Sequence, residues 1–110
     1  MPEKVSEVVI PIDVHNHEFT PRSSSAGRSA APIYVTFHNK RNERVTIQLE
    51  PQGSWKQLGR TIPSITLEPH ESQSVDIANT VIGPCTFVAP KLDNPELDTI
   101  RGEIIINPNP

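Results

Sequence analysis

IYVTFHNKRNERVTIQLE, residues 33–50, is the longest run of the chain without a proline, and the fold class turns on it. Ile33, Val35 and Phe37 alternate with Tyr34, Thr36 and His38. After Asn39-Lys40-Arg41-Asn42-Glu43, the residues Val45, Ile47 and Leu49 alternate with Thr46, Gln48 and Glu50. A period of two sends successive side chains to opposite faces of an extended strand, whereas a helix needs apolar positions three and four apart. The best opening for a helix therefore goes to two strands. They read as a hairpin with one dry face, closed by a charged turn in which Asn39 and Asn42 tolerate positive φ.

The same pattern extends to both sides. Val8, Ile10, Ile12 and Val14 alternate ahead of it, and Pro11, which has no N–H for a ladder, places that strand at an edge or beside a bulge. Downstream come Ile65 and Leu67, Val75 and Ile77, then Cys85, Phe87 and Ala89, and finally residues 103–107. Between them lie Pro51-Gln52-Gly53-Ser54, a long excursion over 55–63, Pro69-His70-Glu71-Ser72 and the acidic loop 91–98. Seven short strands separated by Pro, Gly, Asn and Ser turns predict an all-β antiparallel sandwich, Ig-like or jelly-roll. The 12 prolines in 110 residues, roughly double the usual share, exclude a helical bundle.

One domain is expected, with an N-terminal edge strand over 1–17, a Pro/Ser-rich arm over 18–32 and a sandwich body over 33–110. Within the arm, residues 20–32 hold Pro, Ser, Gly, Ala and two Arg but no large apolar side chain. At about 13 residues that is long for a connection inside a compact domain. A segment of this composition orders itself poorly alone, which points to a neighbouring subunit or partner holding it.

Composition narrows the function classes. With 35% hydrophobic residues, three Phe, one Trp and one Tyr, the core is thin and built from Ile, Val and Leu. A large catalytic cavity is hard to support on it. A net charge of -3 and a pI near 5.7 argue against a dedicated nucleic-acid or anionic-membrane binder. The lone Cys85 makes no internal disulfide. No signal peptide and no apolar run of the ~18 residues needed for a membrane span is legible, so the chain reads as soluble, cytoplasmic or part of a virus particle.

Phe37-His38-Asn39, the Val/Ile strand that follows and Ile65-Thr66-Leu67-Glu68-Pro69-His70-Glu71-Ser72 resemble the layout of Ig-like accessory modules of the major-sperm-protein kind. In those an Asn ends an early strand and a Leu-x-Pro-x-Glu/Gly-Ser turn precedes a later one. The resemblance covers residues 33–78 and implies an Ig-like sandwich without naming a site. Ser54-Trp55, Leu58 and the Pro69/Glu71 turn are faintly similar to the aegerolysin family of lipid-binding sandwiches, whose aromatic-rich C-terminal part has no counterpart here.

Among residues that carry chemistry, Asp13, His15 and His17 fall at i, i+2 and i+4. In an extended strand they share one face, with neighbours about 6.6–7 Å apart. A His-x-His pair at that spacing is a candidate Zn or Cu site, with His38, His70, Asp76 or Cys85 to supply further ligands from other strands. The ordinary alternative is a polar strand end facing solvent. A blue-copper centre is disfavoured, since Cys85 has no His after it and the only Met is Met1. Cys85, in phase with Phe87 and Ala89, reads as a small buried hydrophobe. His38, Lys40, Arg41 and Arg44 read as a basic hairpin tip. Trp55, flanked by Lys56 and Arg60, either plugs the sandwich or anchors a partner. Ile104-Ile105-Ile106 puts apolar groups on both faces of the last strand, a hint of assembly.

The expectation is thus a non-catalytic structural or interaction module in a larger protein assembly or homo-oligomer, with a virion decoration protein as one example. It would bind through the arm 19–32, the Trp55 loop and the edge strands, using Arg22, Arg28, Tyr34, Trp55, Lys56, Arg60 and Ile105. No enzyme activity, cofactor or nucleic-acid partner is expected. The alternatives are a small metal-binding protein using Asp13, His15 and His17 with Zn or Cu, and a lipid-surface binder acting through Trp55.

Overall fold

A computed structural model describes residues 8–27, 33–50, 52–77, 83–90 and 98–107. Along the chain come β1 (Val8–Val14), β2 (Phe19–Thr20), β3 (Ser23–Gly27), β4 (Ile33–Asn39), β5 (Val45–Glu50), β6 (Trp55–Gln57), β7 (Arg60–Thr61), β8 (Ser64–Leu67), β9 (Ser72–Ile77), β10 (Gly83–Pro90) and β11 (Thr99–Asn107). The seven runs read from alternation are β1, β4, β5 and β8 to β11. The four short strands lack an apolar period and owe their pairing to tertiary context.

The strands form two sheets, ordered β2-β1-β4-β9-β6-β7 and β3-β11-β10-β5-β8, packed as a β-sandwich. The all-β sandwich read from the sequence is therefore present, but it is not purely antiparallel: β1 runs parallel to β4 and β3 parallel to β11. Pro11 lies where β1 has β4 on one side and no other strand among the described residues, because β2 pairs only with Asp13 and Val14. No helix among the described residues is long and apolar enough to cross a membrane.

The stretch 33–50 departs from the expected hairpin. Its two strands alternate as read, with Ile33, Val35 and Phe37 buried on one and Val45, Ile47 and Leu49 on the other. They belong to different sheets, however, so the turn between them arches across the sandwich. Two strands with one dry face each can bury those faces side by side in one sheet or opposite each other across the core, and periodicity is the same in both cases. The turn between β8 and β9 makes a second such arch, since those strands also lie in different sheets.

The arm also has a different explanation. Residues Phe19 and Thr20 pair with β1, after which the chain crosses at Pro21-Arg22 and Ser23–Gly27 pairs with β11 of the same chain. The Glu103 amide donates to the Arg22 carbonyl at the crossing. Intrachain pairing holds this part of the arm against β1 and β11. Residues 28–32 lie outside the described residues.

Aromatic side chains fill the centre. Phe87 meets Phe19 edge-on at 4.7 Å between ring centroids, Phe37 at 5.2 Å and Trp55 at 6.4 Å. Edge-to-face contacts of this kind add to the burial of large rings. Gly102 faces the same centre: a Cβ there would collide with the Phe87 ring, so this position of β11 takes no side chain. Trp55 is fully buried, with its indole N–H donating to the Glu50 carbonyl at 3.0 Å.

Candidate functional site at the histidine pole

Register places the turns that follow β1, β4 and β8 at one end of the sandwich. Val14 lies opposite Asn39, His38 opposite Ser72 and Val45 opposite Leu67. This pole carries all four histidines of the chain. His15, Asn16, His17 and Glu18 form the turn between β1 and β2, closed by the His15 amide donating to the Glu18 carbonyl at 2.9 Å. With Lys40 they line an open depression of about 340 Å³.

Two buried polar side chains knit the pole together. Asn39, fully buried at the end of β4, donates through Nδ2 to the carbonyls of Glu43 (2.8 Å), Glu68 (3.1 Å) and Leu67 (3.3 Å). Its Oδ1 accepts from the Arg41 amide at 2.9 Å. Arg41, only 3% exposed, donates from Nε to the His15 carbonyl at 2.8 Å and from Nη2 to the Asn16 carbonyl at 3.3 Å. Burial lowers its pKa below the ordinary arginine value, partly opposed by the nearby Glu43 carboxylate. Asn39 thus ties the two arches to each other, and Arg41 ties them to the histidine turn. Sequence reading missed both roles. The Asn at a strand end was visible as turn chemistry, but nothing distinguished Arg41 from its charged neighbours.

The expected basic tip does not form. Arg41 turns inward, Arg44 pairs with Glu68 at 2.7 Å, and His38 Nδ1 bonds the Ser72 hydroxyl on the outer face of the first sheet. Nor do Asp13, His15 and His17 share a strand face. β1 ends at Val14, which leaves the two histidines in the turn and Asp13 opposite His38 and Thr20. Among the described residues no three His, Cys, Asp or Glu side chains come together to hold an ion. His70 bonds Asn42 at 3.2 Å, and Asp76 sits opposite Tyr34 and Lys56.

Cys85 lies toward the other end of β10, five residues before the Pro90 end that reaches the histidine pole, ~17 Å along the strand. It is fully buried, and burial pushes its thiol up to about 11. A blue-copper ion needs a thiolate with two imidazoles and a weak axial Met. A protonated, sealed thiol remote from every histidine does not fit that group.

The predicted partner-binding residues fall in both sheets. Trp55 fills the core, so it is neither a partner anchor nor a lipid anchor. Tyr34 and Lys56 are half-buried in the first sheet, each opposite Asp76, and Arg60 is exposed in β7. Arg22 is exposed at the sheet crossing. Ile105 is 37% exposed, flanked by Ser25 and Pro84 in the second sheet. Tyr34 and Lys56 thus flank Asp76 on the first sheet, whereas Ile105 lies in the second. Arg28 lies outside the described residues.

Two comparisons find nothing: no protein-family model and no curated protein matches the chain. Solved structures do match in fold, and they are blue-copper proteins and multicopper oxidases, the cupredoxin class of sandwich. A mutant of amicyanin with Cu(I) aligns at TM-score 0.57 and 14% identity, covering 90% of this chain and 82% of that one. Auracyanin A, a "blue" copper protein from Chloroflexus aurantiacus, aligns at TM-score 0.61 and 11% identity over 93% of this chain and all of that one. The McoA multicopper oxidase from Aquifex aeolicus aligns at TM-score 0.63 and 8% identity over 97% of this chain, which spans 31% of the oxidase. These likenesses establish a cupredoxin-like fold. They overturn the resemblance to major-sperm-protein and aegerolysin sandwiches, which rested on turn residues that many sandwiches share. The reading as a virion structural or assembly module falls with it, since the arm that motivated it is held within the chain and the matching folds belong to copper proteins.

Proposed function

We propose that this chain is a metal-binding domain on a cupredoxin-like fold, taking Cu(II) or Zn(II) at the turn between β1 and β2 instead of a buried blue-copper ion. The observation that carries this reading is the placing of His15 and His17 in a single closed turn that lines an open depression together with Glu18. Imidazole nitrogens suit both ions, and Cu(II) binds such donors most tightly among the divalent metals of its row. The two imidazoles would be the chain's donors to the ion, with water completing its shell. Lys40 lines the same depression, and its ammonium works against any cation held there, so the imidazoles must outweigh that repulsion. The domain is read as a binder, not an enzyme: its thiol is sealed, and the Ser72–His38 pair sits on an outer sheet face.

Calorimetric and electron-spin-resonance titration with Cu(II) tests this. One equivalent is expected, with nitrogen hyperfine structure and no thiolate-to-copper charge-transfer band. His15→Ala and His17→Ala should each weaken binding at least about tenfold, while Cys85→Ala leaves it unchanged. Non-stoichiometric uptake by the wild type, or wild-type affinity in both histidine variants, would overturn the reading.

A further inference from the structure

We infer that the outer edge of β3 is a docking edge, which takes an extended acidic peptide segment of a partner protein as an added strand. The two sheets end in β2 and β7 and in β3 and β8, and three of these four edges are blunted. Beside β1, β2 covers only Asp13 and Val14. Pro11 is in step with His15, whose amide points toward the β2 side, so on the uncovered part of that edge Pro11 has no N–H to offer. β7 is only two residues long. Next to β8, the Pro63 carbonyl accepts from Leu49 of β5, so Thr66 and Glu68 face away from β5. The Thr66 carbonyl there already accepts from Gln73 Nε2 at 2.9 Å, and the Glu68 amide donates to Glu71 Oε1 at 2.8 Å.

β3 has none of these devices. The Arg22 carbonyl accepts from Glu103 of β11, so Ser24 and Ala26 turn their backbone groups to β11, and Ser23, Ser25 and Gly27 turn theirs away. Among the described residues no strand and no side chain meets those outward groups. The five residues are small and uncharged, with no proline, so another backbone can come close. Such an edge templates further pairing, in which main-chain bonds give affinity and side chains give specificity. Charge selects the occupant. Arg22 and Arg101 are exposed and share an open depression of about 570 Å³ with Ser23, Pro84 and Thr86, and neither is in an ion pair among the described residues. Glu103 also lines it, opposite Ser23 and Thr86, which leaves the end at Arg22 and Arg101 for a carboxylate. In the sequence, arginines stand on both sides of β3, at 22 and 28, and no acidic residue falls between Glu18 and Glu43. Pairing with a second copy would gather like charges, whereas an acidic strand would offset them.

The test titrates isotope-labelled full chain, at low salt, with three blocked pentapeptides and follows the amide resonances. The probes are Glu-Val-Glu-Val-Glu, Lys-Val-Lys-Val-Lys and the acidic peptide with every amide N-methylated. The acidic peptide is expected to shift the Ser23, Ser25 and Gly27 amides and slow their exchange, with the other two binding at least about tenfold more weakly. Ser25→Pro removes one outward donor and keeps the ladder to β11, so it should weaken the acidic peptide by a similar factor while Trp55 fluorescence shows the variant folded. If Ser25→Pro does not fold, the N-methylated peptide makes the same distinction. An Arg22→Gln, Arg101→Gln double variant should lose the preference for the acidic peptide over the basic one. No binding of the acidic peptide, shifts that leave β3 untouched, or undiminished binding of the N-methylated form would overturn the docking edge. Equal binding of the basic peptide by the wild type would overturn the acidic occupant. Self-association of the wild type that Ser25→Pro abolishes would put a second copy in its place.

Discussion

At Cys85 a single side chain makes stability depend on pH. The unfolded thiol ionises near the ordinary 9.0, while burial holds the folded one protonated to about 11. Between those values the unfolded state binds fewer protons than the folded state, so stability falls as pH rises through that window. Below pH 9 the group contributes no slope. Urea midpoints of wild type and Cys85→Ala, measured from pH 7 to 11, are expected to converge above pH 9, and parallel curves would contradict the assignment. Periodicity placed this residue correctly, in phase with Phe87 and Ala89. It had no means of placing Arg41, because a charged residue in a short turn looks the same whether it faces water or folds back onto two carbonyls.

Among the elements, β3 shows how pairing can order a segment that has no apolar pattern. Ser23, Ser24 and Ser25 supply little burial, yet Ser23–Gly27 runs alongside β11 over five paired positions. The ladder's hydrogen bonds, together with the Glu103 amide on the Arg22 carbonyl, hold the chain there. Limited trypsin digestion of the isolated chain should leave the bond after Arg22 intact, although that side chain is exposed. Rapid cleavage there under native conditions would show that the pairing with β11 is not maintained. The arches between β4 and β5 and between β8 and β9 carry the complementary lesson. Alternation identified all four strands, but whether two dry faces lie side by side or face to face is set by which sheet each strand joins.

For the whole molecule, the aromatic centre around Phe87 joins the two sheets and the Asn39–Arg41 network joins the turns at one pole. Chelator treatment should leave the thermal unfolding midpoint unchanged. Added Cu(II) should raise stability by mass action, by about 2.7 kcal/mol at a free concentration one hundred times the dissociation constant. The rise should vanish in a His15→Ala, His17→Ala double variant. A midpoint that drops on chelation would mean that a metal is part of the fold and not a ligand of its surface.

The sequence by itself determined the all-β class, the seven principal strands, the inward residues and the inert, buried character of Cys85, because each follows from a period of two and from the chemistry of single side chains. Tertiary structure alone decided the parallel pairings, the sheet to which each strand belongs and the gathering of three turns at one pole. It also decided the fates of Trp55 and Arg41. Those outcomes depend on contacts between residues far apart in the chain, which local alternation and turn chemistry do not encode.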